Sequence, residues 1–212
     1  QRYLVSFIGV SLNIILVVSI LGYFGVETTS FAALVAGAGV AIGAAWSGLL
    51  GNFASGIFLL VLRPFQVGDY VSAGGIEGTV LELGLFGTAL TTPDNVRTIV
   101  GNGKIMGSDI KNFSANAYRR VDLVAQLAGS ADVNHAIALL KEAVAKVAHI
   151  DASQPVDVEI LEFNEFGPKL AVRPYCHTDR YWQVYFDTNK AIADTLGQAG
   201  FPVATRPVKV YP

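Results

Sequence analysis

Charged side chains are missing from most of the first third of this sequence. No Asp, Glu, Lys or Arg stands between Arg2 and Glu27, and none stands between Glu27 and Arg63. The chain has a single cysteine, Cys176, which excludes an intrachain disulfide framework and agrees with a reducing compartment. Its 15 basic and 17 acidic residues leave a net charge of -2, so the composition offers no basic face for nucleic acid. The sequence therefore divides into an apolar front and an ordinary soluble remainder.

The two uncharged runs predict membrane helices. The run from Tyr3 to Val26 is long enough to cross a hydrocarbon core of about 30 Å, which takes roughly 20 residues, and the run over 28–62 is longer than one crossing needs. Backbone groups in lipid must be satisfied internally, so both should be helical. A secretory signal peptide fits poorly, because its apolar core is shorter and no cleavage site follows. Since the sequence does not begin with Met, further membrane helices are expected before Gln1.

The flanks of the two runs predict their orientation. Arg2 precedes the first run and Arg63 follows the second, whereas the connection between them carries only Glu27. By the positive-inside rule, both outer ends and the soluble remainder should lie in the cytoplasm.

The second run has an unusual content of glycine and alanine, in "FAALVAGAGVAIGAAWSGLLGNFASG" from Phe31 to Gly56. On a helical wheel at about 100° per residue, the small residues form two faces offset by about 100°. The first face consists of Ala36, Gly39 and Gly43, and the second of Ala33, Gly37 and Ala41. Val40 and Ala44 point between them.

Two small faces on one helix predict a ring of identical subunits. In lipid, small residues let helices approach closely, and a repeated contact between unlike faces can close into a ring. The part of the helix between the two faces would then face the central axis of the ring. This predicts that Val40 and Ala44 line the pore, together with Gly37 and Ala33 beside them. A small-residue helix packed inside a monomeric bundle is the open alternative. A dinucleotide fingerprint is disfavoured, because "GAGVAIG" has the wrong spacing and no acidic residue stands near the expected ribose-binding position, where the chain reads "GIFLLVL".

Gly48 is the predicted hinge of this helix. A helix over the whole run would overshoot the membrane, and "SGLLGNFASG" offers small residues where it can bend. Beyond the bend, "NFASGIFLLVLRPF" is apolar enough to lie along the membrane interface as far as Pro64. We therefore predict a pore helix, a kink near Gly48 and an interfacial helix. Glycines that accommodate neighbours without bending are the alternative.

The sequence resembles the bacterial small-conductance mechanosensitive channel family. The resemblance is carried by "GAGVAIGAAWSGLLGNFASGIFLLVLRPFQVGDYV", then "GTVLELGLFGTALTTPDN", "GNGKI" and "NFS", and continues in pattern to the C-terminus. It implies a homoheptamer in the bacterial inner membrane that needs no cofactor and releases ions and small osmolytes when tension rises in hypo-osmotic shock. It also implies that the pore is lined by the family's third membrane helix, which bends at the glycine matching Gly48.

Two features depart from the family pattern. The family's two rings of leucine match Val40 and Ala44 here, and alanine is too short to narrow a pore much. Valine is still apolar and could support gating by dewetting. Gly101 stands where the family usually has proline, and there we expect only a local change of the loop.

The whole chain is predicted to be a membrane α-helical part followed by soluble α+β domains. The segments are 1–27, the family's second membrane span; 28–63, the pore and interfacial helices; 64–114, a Sm-like β-domain; 115–204, a ferredoxin-like α/β vestibule domain; and 205–212, a strand that forms a barrel between subunits. The vestibule should hold a strand over 121–127, a helix over about 132–149, two further strands and a helix over about 179–198. Asn52 and Phe53 are expected to rest on the β-domain and couple it to the pore.

The residues offer little for an enzyme. Three histidines, His135, His149 and His177, show no metal-binding spacing. Cys176 and His177 are adjacent on a predicted strand, so their side chains point to opposite faces and cannot form a nucleophile pair. We predict no catalytic and no metal-binding residues. The main hypothesis is a tension-gated channel, and the alternative is a membrane-anchored oligomeric scaffold or signalling protein without a conducting pore.

Overall fold

The computed structural model describes residues 2–206 of the chain. Those residues form two compact units, one of residues 2–68 and 72–110, and one of residues 69–71 and 111–206. The barrel strand predicted over 205–212 falls at 207–212 outside the described residues, so it stays a prediction.

The first unit begins with two long apolar helices. Helix α1 spans Arg2–Tyr23 and helix α2 spans Thr29–Leu62, which gives lengths of about 33 and 51 Å at 1.5 Å per residue. Both are long and apolar enough to cross a membrane, and the most apolar 18-residue stretch of each is exposed within the described chain. The link between them turns at Gly25, whose φ is +78°. These helices match the two predicted membrane segments.

Helix α2 is continuous through Gly48 and ends at Leu62. The bend at Gly48 and the separate interfacial helix therefore stay predictions. The end itself has a clear cause, because Arg63 adopts a left-handed conformation at φ +47° and its N–H donates to the carbonyl of Leu59 at 3.0 Å. Pro64 follows and lacks the N–H that a further helical turn would need.

A five-stranded sheet with a short helix follows α2. Its elements are β1 Tyr70–Ala73, β2 Ile76–Leu83, β3 Gly87–Thr91, β4 Arg97–Gly101, α3 Asn102–Met106 and β5 Lys111–Asn112. The order in the sheet is β4-β3-β2-β1-β5, and β2, β3 and β4 pair antiparallel in sequence. Turns fall at Gly74 and Gly75, with φ of +60° and +80°, and at Asn95, with φ of +64°. The sequence predicts both turns, because Gly74-Gly75 and Pro93-Asp94-Asn95 stand between short apolar segments, as is typical of hairpins.

The second unit contains two antiparallel sheets and two helices. Its elements are β6 Tyr118–Arg120, β7 Leu123–Gln126, α4 Val133–Ala145, β8 Asp157–Asn164, β9 Gly167–Arg173, β10 Tyr175–His177 and α5 Tyr181–Gln198. One sheet has the order β7-β9-β8, and β6 pairs with β10 in a two-stranded ribbon. A single apolar core includes Leu123, Leu140, Val158, Leu170 and Val184. The predicted order strand, helix, strand, strand, helix is present in β7 to α5.

Three details of this unit differ from the prediction. The helix predicted to reach His149 ends at Ala145, because the chain turns there and His149 takes a left-handed conformation at φ +68°. The strand predicted over 121–127 is shorter at both ends, and at its N-terminal end the Val121 N–H donates to the carbonyl of Pro174, which lies outside that sheet. The β6–β10 ribbon was not predicted as a separate sheet.

Candidate functional site on helix α2

The predicted pore-lining and packing residues all lie on exposed surface of α2. Ala33, Ala36, Ala41 and Ala44 are exposed, and Val40 is 74% exposed, more than any other large apolar residue of this helix. A Cβ built on any of several glycines would meet no atom of the described chain within 4 Å: Gly37, Gly39, Gly43, Gly48 and Gly51. No contact within the described chain therefore requires glycine at these positions.

The junction of α2 with the β-domain is held by Asn52. Its Oδ1 accepts a hydrogen bond from the Gly103 N–H at 2.8 Å, and its Nδ2 donates to the carbonyl of Gly48 at 3.0 Å. Gly103 belongs to α3, directly after β4. One half-buried amide thus links the predicted hinge glycine to the β-domain.

The glycines around α3 make room for this contact. A Cβ on Gly101 would lie 2.9 Å from Oδ1 of Asn52, and one on Gly103 would lie 3.2 Å from the same atom. Gly101 has φ -60° and ψ 134°, which any residue can adopt, so the need for glycine there is steric. From the sequence alone we expect Gly101 to change only the local loop, whereas in the structure it packs against Asn52.

One turn further along α2, Gly56 is buried against the same domain. A Cβ there would lie 2.2 Å from the carbonyl oxygen of Leu85 and 2.6 Å from Nδ2 of Asn102. The helix can approach this backbone so closely only because position 56 has no side chain. Sequence analysis did not single out Gly56, although a glycine within "NFASG" was the available signal.

Asn102 supports that contact from within the β-domain. It is fully buried, and its Oδ1 accepts from the hydroxyl of Thr88 at 2.9 Å. Its Nδ2 donates to the carbonyl of Gly84 at 2.8 Å, and its backbone N–H donates to the carbonyl of Phe86 at 3.1 Å. These bonds fix the loop between β2 and β3 against the start of α3, because a buried amide is costly unless it is hydrogen-bonded.

Aromatic and apolar contacts complete the junction. The rings of Phe53 and Phe86 lie 5.8 Å apart at 40°, so Phe53 touches the same β2–β3 loop. Leu59 and Phe65 are 2% and 1% exposed, so both are buried within the first unit. Asn52 and Phe53 therefore both contact the β-domain, and their coupling role stays a prediction.

Known proteins share this arrangement of helix and β-domain. The model of a family described as "Mechanosensitive ion channel, beta-domain" matches residues 48–115. The small-conductance mechanosensitive channel of Edwardsiella ictaluri is 35% identical over 176 residues, which are 82% of this chain and 62% of that protein. This chain belongs to the small-conductance mechanosensitive channel family. A relative with the same name from Helicobacter pylori is 29% identical over 76% of this chain and 58% of its own length.

Solved structures show that the fold of this chain is shared. A closed-state channel of this family from Helicobacter pylori superimposes with a TM-score of 0.92 at 24% identity, over 100% of this chain and 84% of that one. A protein named MSL1 from Arabidopsis thaliana gives 0.80 at 20% identity, over 96% and 76% of the two chains. The present chain spans about 60% of the length of the curated relatives it matches.

Proposed function

We propose that this chain is a subunit of a mechanosensitive ion channel in the bacterial inner membrane. Membrane tension opens the channel, which then releases ions and small osmolytes during hypo-osmotic shock. One observation carries this proposal: the 34-residue apolar helix α2 exposes two faces of small residues. The same helix is joined to the β-domain through Asn52. The names of its relatives, which are small-conductance mechanosensitive channels, support the same function.

In the proposed assembly, copies of α2 surround a central pore. Gly39 and Gly43, with Ala36, form the face that packs on one neighbour, and Ala41 belongs to the face that meets the other. Val40 and Ala44 line the pore, with Ala33 and Gly37 beside them. Seven copies are proposed, as the family resemblance implies. Close packing of small faces suits this ring because association in lipid depends on contact and not on the hydrophobic effect.

Opening requires a narrow and a wide state of similar free energy. Tension favours the wide state, because that state occupies more membrane area, and the populations shift as they would with a ligand. An apolar constriction at Val40 conducts only when it is wetted. Gly48 is the proposed hinge below it, and the hydrogen bonds of Asn52 carry the position of the β-domain to the Gly48 carbonyl.

The remaining parts of the proposal concern the soluble domains. They lie on the cytoplasmic side, as the positions of Arg2, Glu27 and Arg63 predict. The β-domain is Sm-like, the second unit is a ferredoxin-like vestibule domain, and a strand at the C-terminus of each subunit closes a barrel around the axis.

Patch recording of membranes that contain the full-length protein tests this function. We expect a pressure-activated current at tensions below membrane rupture. Val40→Asp should hydrate the constriction, so that cells leak and grow poorly, whereas Val40→Leu keeps the ring apolar and should not leak. Unaltered growth and current in Val40→Asp would contradict the pore assignment. The absence of current at every sub-lytic tension would favour the oligomeric scaffold.

A further inference from the structure

Arg119 of the second unit lies between two aromatic rings. It is half-buried on β6, opposite Cys176 in the β6–β10 ribbon. Its guanidinium carbon lies 4.6 Å from the centre of the Phe113 ring and 4.0 Å from the centre of the Tyr181 ring. The rings therefore flank the guanidinium group and shield it from water.

The N–H groups of this guanidinium have no protein acceptor in the described chain. Arg120 and Arg173 both pair with Asp122, at 2.9 and 3.1 Å, so the nearby carboxylate is already engaged. Within residues 2–206, the side chain of Arg119 makes no hydrogen bond and has no carboxylate oxygen within 4.0 Å. Contacts with ring faces leave the edge of the guanidinium available, since its five N–H donors lie in its plane.

A guanidinium held in this way has the properties of a carboxylate receptor. Partial burial of a charge without a hydrogen-bonding partner is unfavourable, and a carboxylate would offset that cost. The two oxygens of a carboxylate match the planar guanidinium group and accept two parallel hydrogen bonds from it. Such charge-assisted hydrogen bonds are shorter and stronger than hydrogen bonds between neutral groups. Flanking rings add cation–π attraction and fix the side chain before the ligand arrives.

We propose that Arg119, flanked by Phe113 and Tyr181, binds a carboxylate side chain of a second copy of this chain. The inference rests on the proposed function only in requiring a homo-oligomer. A second copy can supply the ligand, because its surface carries carboxylates that are not engaged within their own chain. Asp194 on α5 is exposed and makes no ion pair or hydrogen bond among the described residues.

Carbodiimide coupling of the assembled full-length Arg119→Lys protein tests this inference. The reagent forms an amide bond between an amine and a carboxylate that are already in contact. Mixing light and heavy isotope-labelled subunits distinguishes links between chains from links within one chain. We expect an isopeptide bond from position 119 to an Asp or Glu of another subunit. The intrachain pair Lys141 and Glu159, 3.0 Å apart, is the positive control. Formation of that control link without any link between chains at position 119 would overturn the inference.

A second variant removes the charge at position 119 and tests the same contact through the stability of the oligomer. Arg119→Gln should shift dissociation of the purified oligomer to lower salt concentration, because a charged contact between subunits is lost. Arg180→Gln is the matched control, since Arg180 is exposed in the same unit and makes no ion pair among the described residues. Equal salt stability of wild type and both variants would count against the inference.

Pressure-activated current measured on the same Arg119→Lys protein separates this inference from the proposed function. A current without a link at position 119 between chains means that only the carboxylate contact is wrong. A link without any current means that the contact stands and the channel function fails.

Discussion

Asn52 and Gly103 lie 51 positions apart in the chain, and the Gly103 N–H donates to Oδ1 of Asn52 at 2.8 Å. The same amide group donates through Nδ2 to the carbonyl of Gly48. Any rotation of the Asn52 side chain therefore affects both bonds together. A small polar group thus connects the predicted hinge to the β-domain, and its two bonds can be separated by mutation.

Replacing Asn52 tests what each bond contributes. Asn52→Ala removes both and should lower the free energy of unfolding of the junction by about 1 kcal/mol for each bond. Asn52→Asp keeps an acceptor for the Gly103 N–H but cannot donate to Gly48. Hydrogen exchange of the Gly103 amide should therefore speed up in the alanine variant and stay slow in the aspartate variant. Equally slow exchange in both would mean that Asn52 does not hold Gly103.

Gly56 provides a steric test of the same junction. Gly56→Ala places a methyl group where the Leu85 carbonyl oxygen lies 2.2 Å away, so α2 or the β2–β3 loop must move. We expect a loss of about 1–3 kcal/mol, as for overpacked cores, seen as faster exchange in both segments. Gly51→Ala is the control, because its Cβ meets no described atom and alanine favours a helix by up to about 1 kcal/mol. Similar effects in the two variants would contradict close packing at Gly56.

Enlarging Gly39 or Gly43 tests the packing faces of the proposed ring. Space beside both residues is open in the single chain, so Gly39→Leu or Gly43→Leu should leave the fold of one subunit unchanged. Within the ring, the larger side chains should oppose sliding of neighbouring helices and raise the tension needed for opening. Patch recording measures this threshold, and an unchanged value would mean that these faces do not pack on neighbours.

The sequence predicted the parts of the structure that depend on simple patterns. Uncharged runs predicted α1 and α2, and glycine pairs such as Gly74-Gly75 predicted the turns between strands. The end of α4 was predicted less well, because Val147 continues the apolar periodicity beyond Ala145, where the helix stops. Periodicity reports which face is buried and not where the backbone turns.

The candidate site was predicted only in part, for a physical reason. Asn52 was identified, but Gly56, Gly101 and Asn102 matter through contacts between segments about 30 to 50 positions apart, which no local pattern reveals. The steric role of Gly101 depends on the 2.9 Å distance that a Cβ would have from Oδ1 of Asn52, and that distance exists only in the fold.

Replacing each of two buried threonines with valine should have opposite effects on stability. The hydroxyl of Thr188 is buried on α5 and has no hydrogen-bond partner among the described residues, whereas that of Thr88 donates to Asn102. Thr188→Val removes an unsatisfied group and should stabilise the second unit by about 1 kcal/mol. Thr88→Val leaves Oδ1 of Asn102 with one partner fewer and should destabilise the first unit by about 1–3 kcal/mol. Hydrogen exchange of the core amides measures each unit separately, and a destabilised Thr188→Val protein would contradict the assignment.

Cys176 predicts how the second unit responds to alkaline pH. Burial raises the pKa of its thiol, an effect that the positive charge of Arg119 partly opposes. A raised pKa in the folded state means that the thiolate forms more easily after unfolding. The contribution of Cys176 to the free energy of unfolding is therefore fully present below the ordinary thiol pKa, about 8.5. It is lost as the pH rises toward the pKa of the thiol in the folded state. We expect slow alkylation of Cys176 by iodoacetamide at pH 8, and a steeper fall in stability above pH 9 in wild type than in Cys176→Ala. Fast alkylation at pH 8 under native conditions, or identical alkaline profiles of the two proteins, would contradict this prediction.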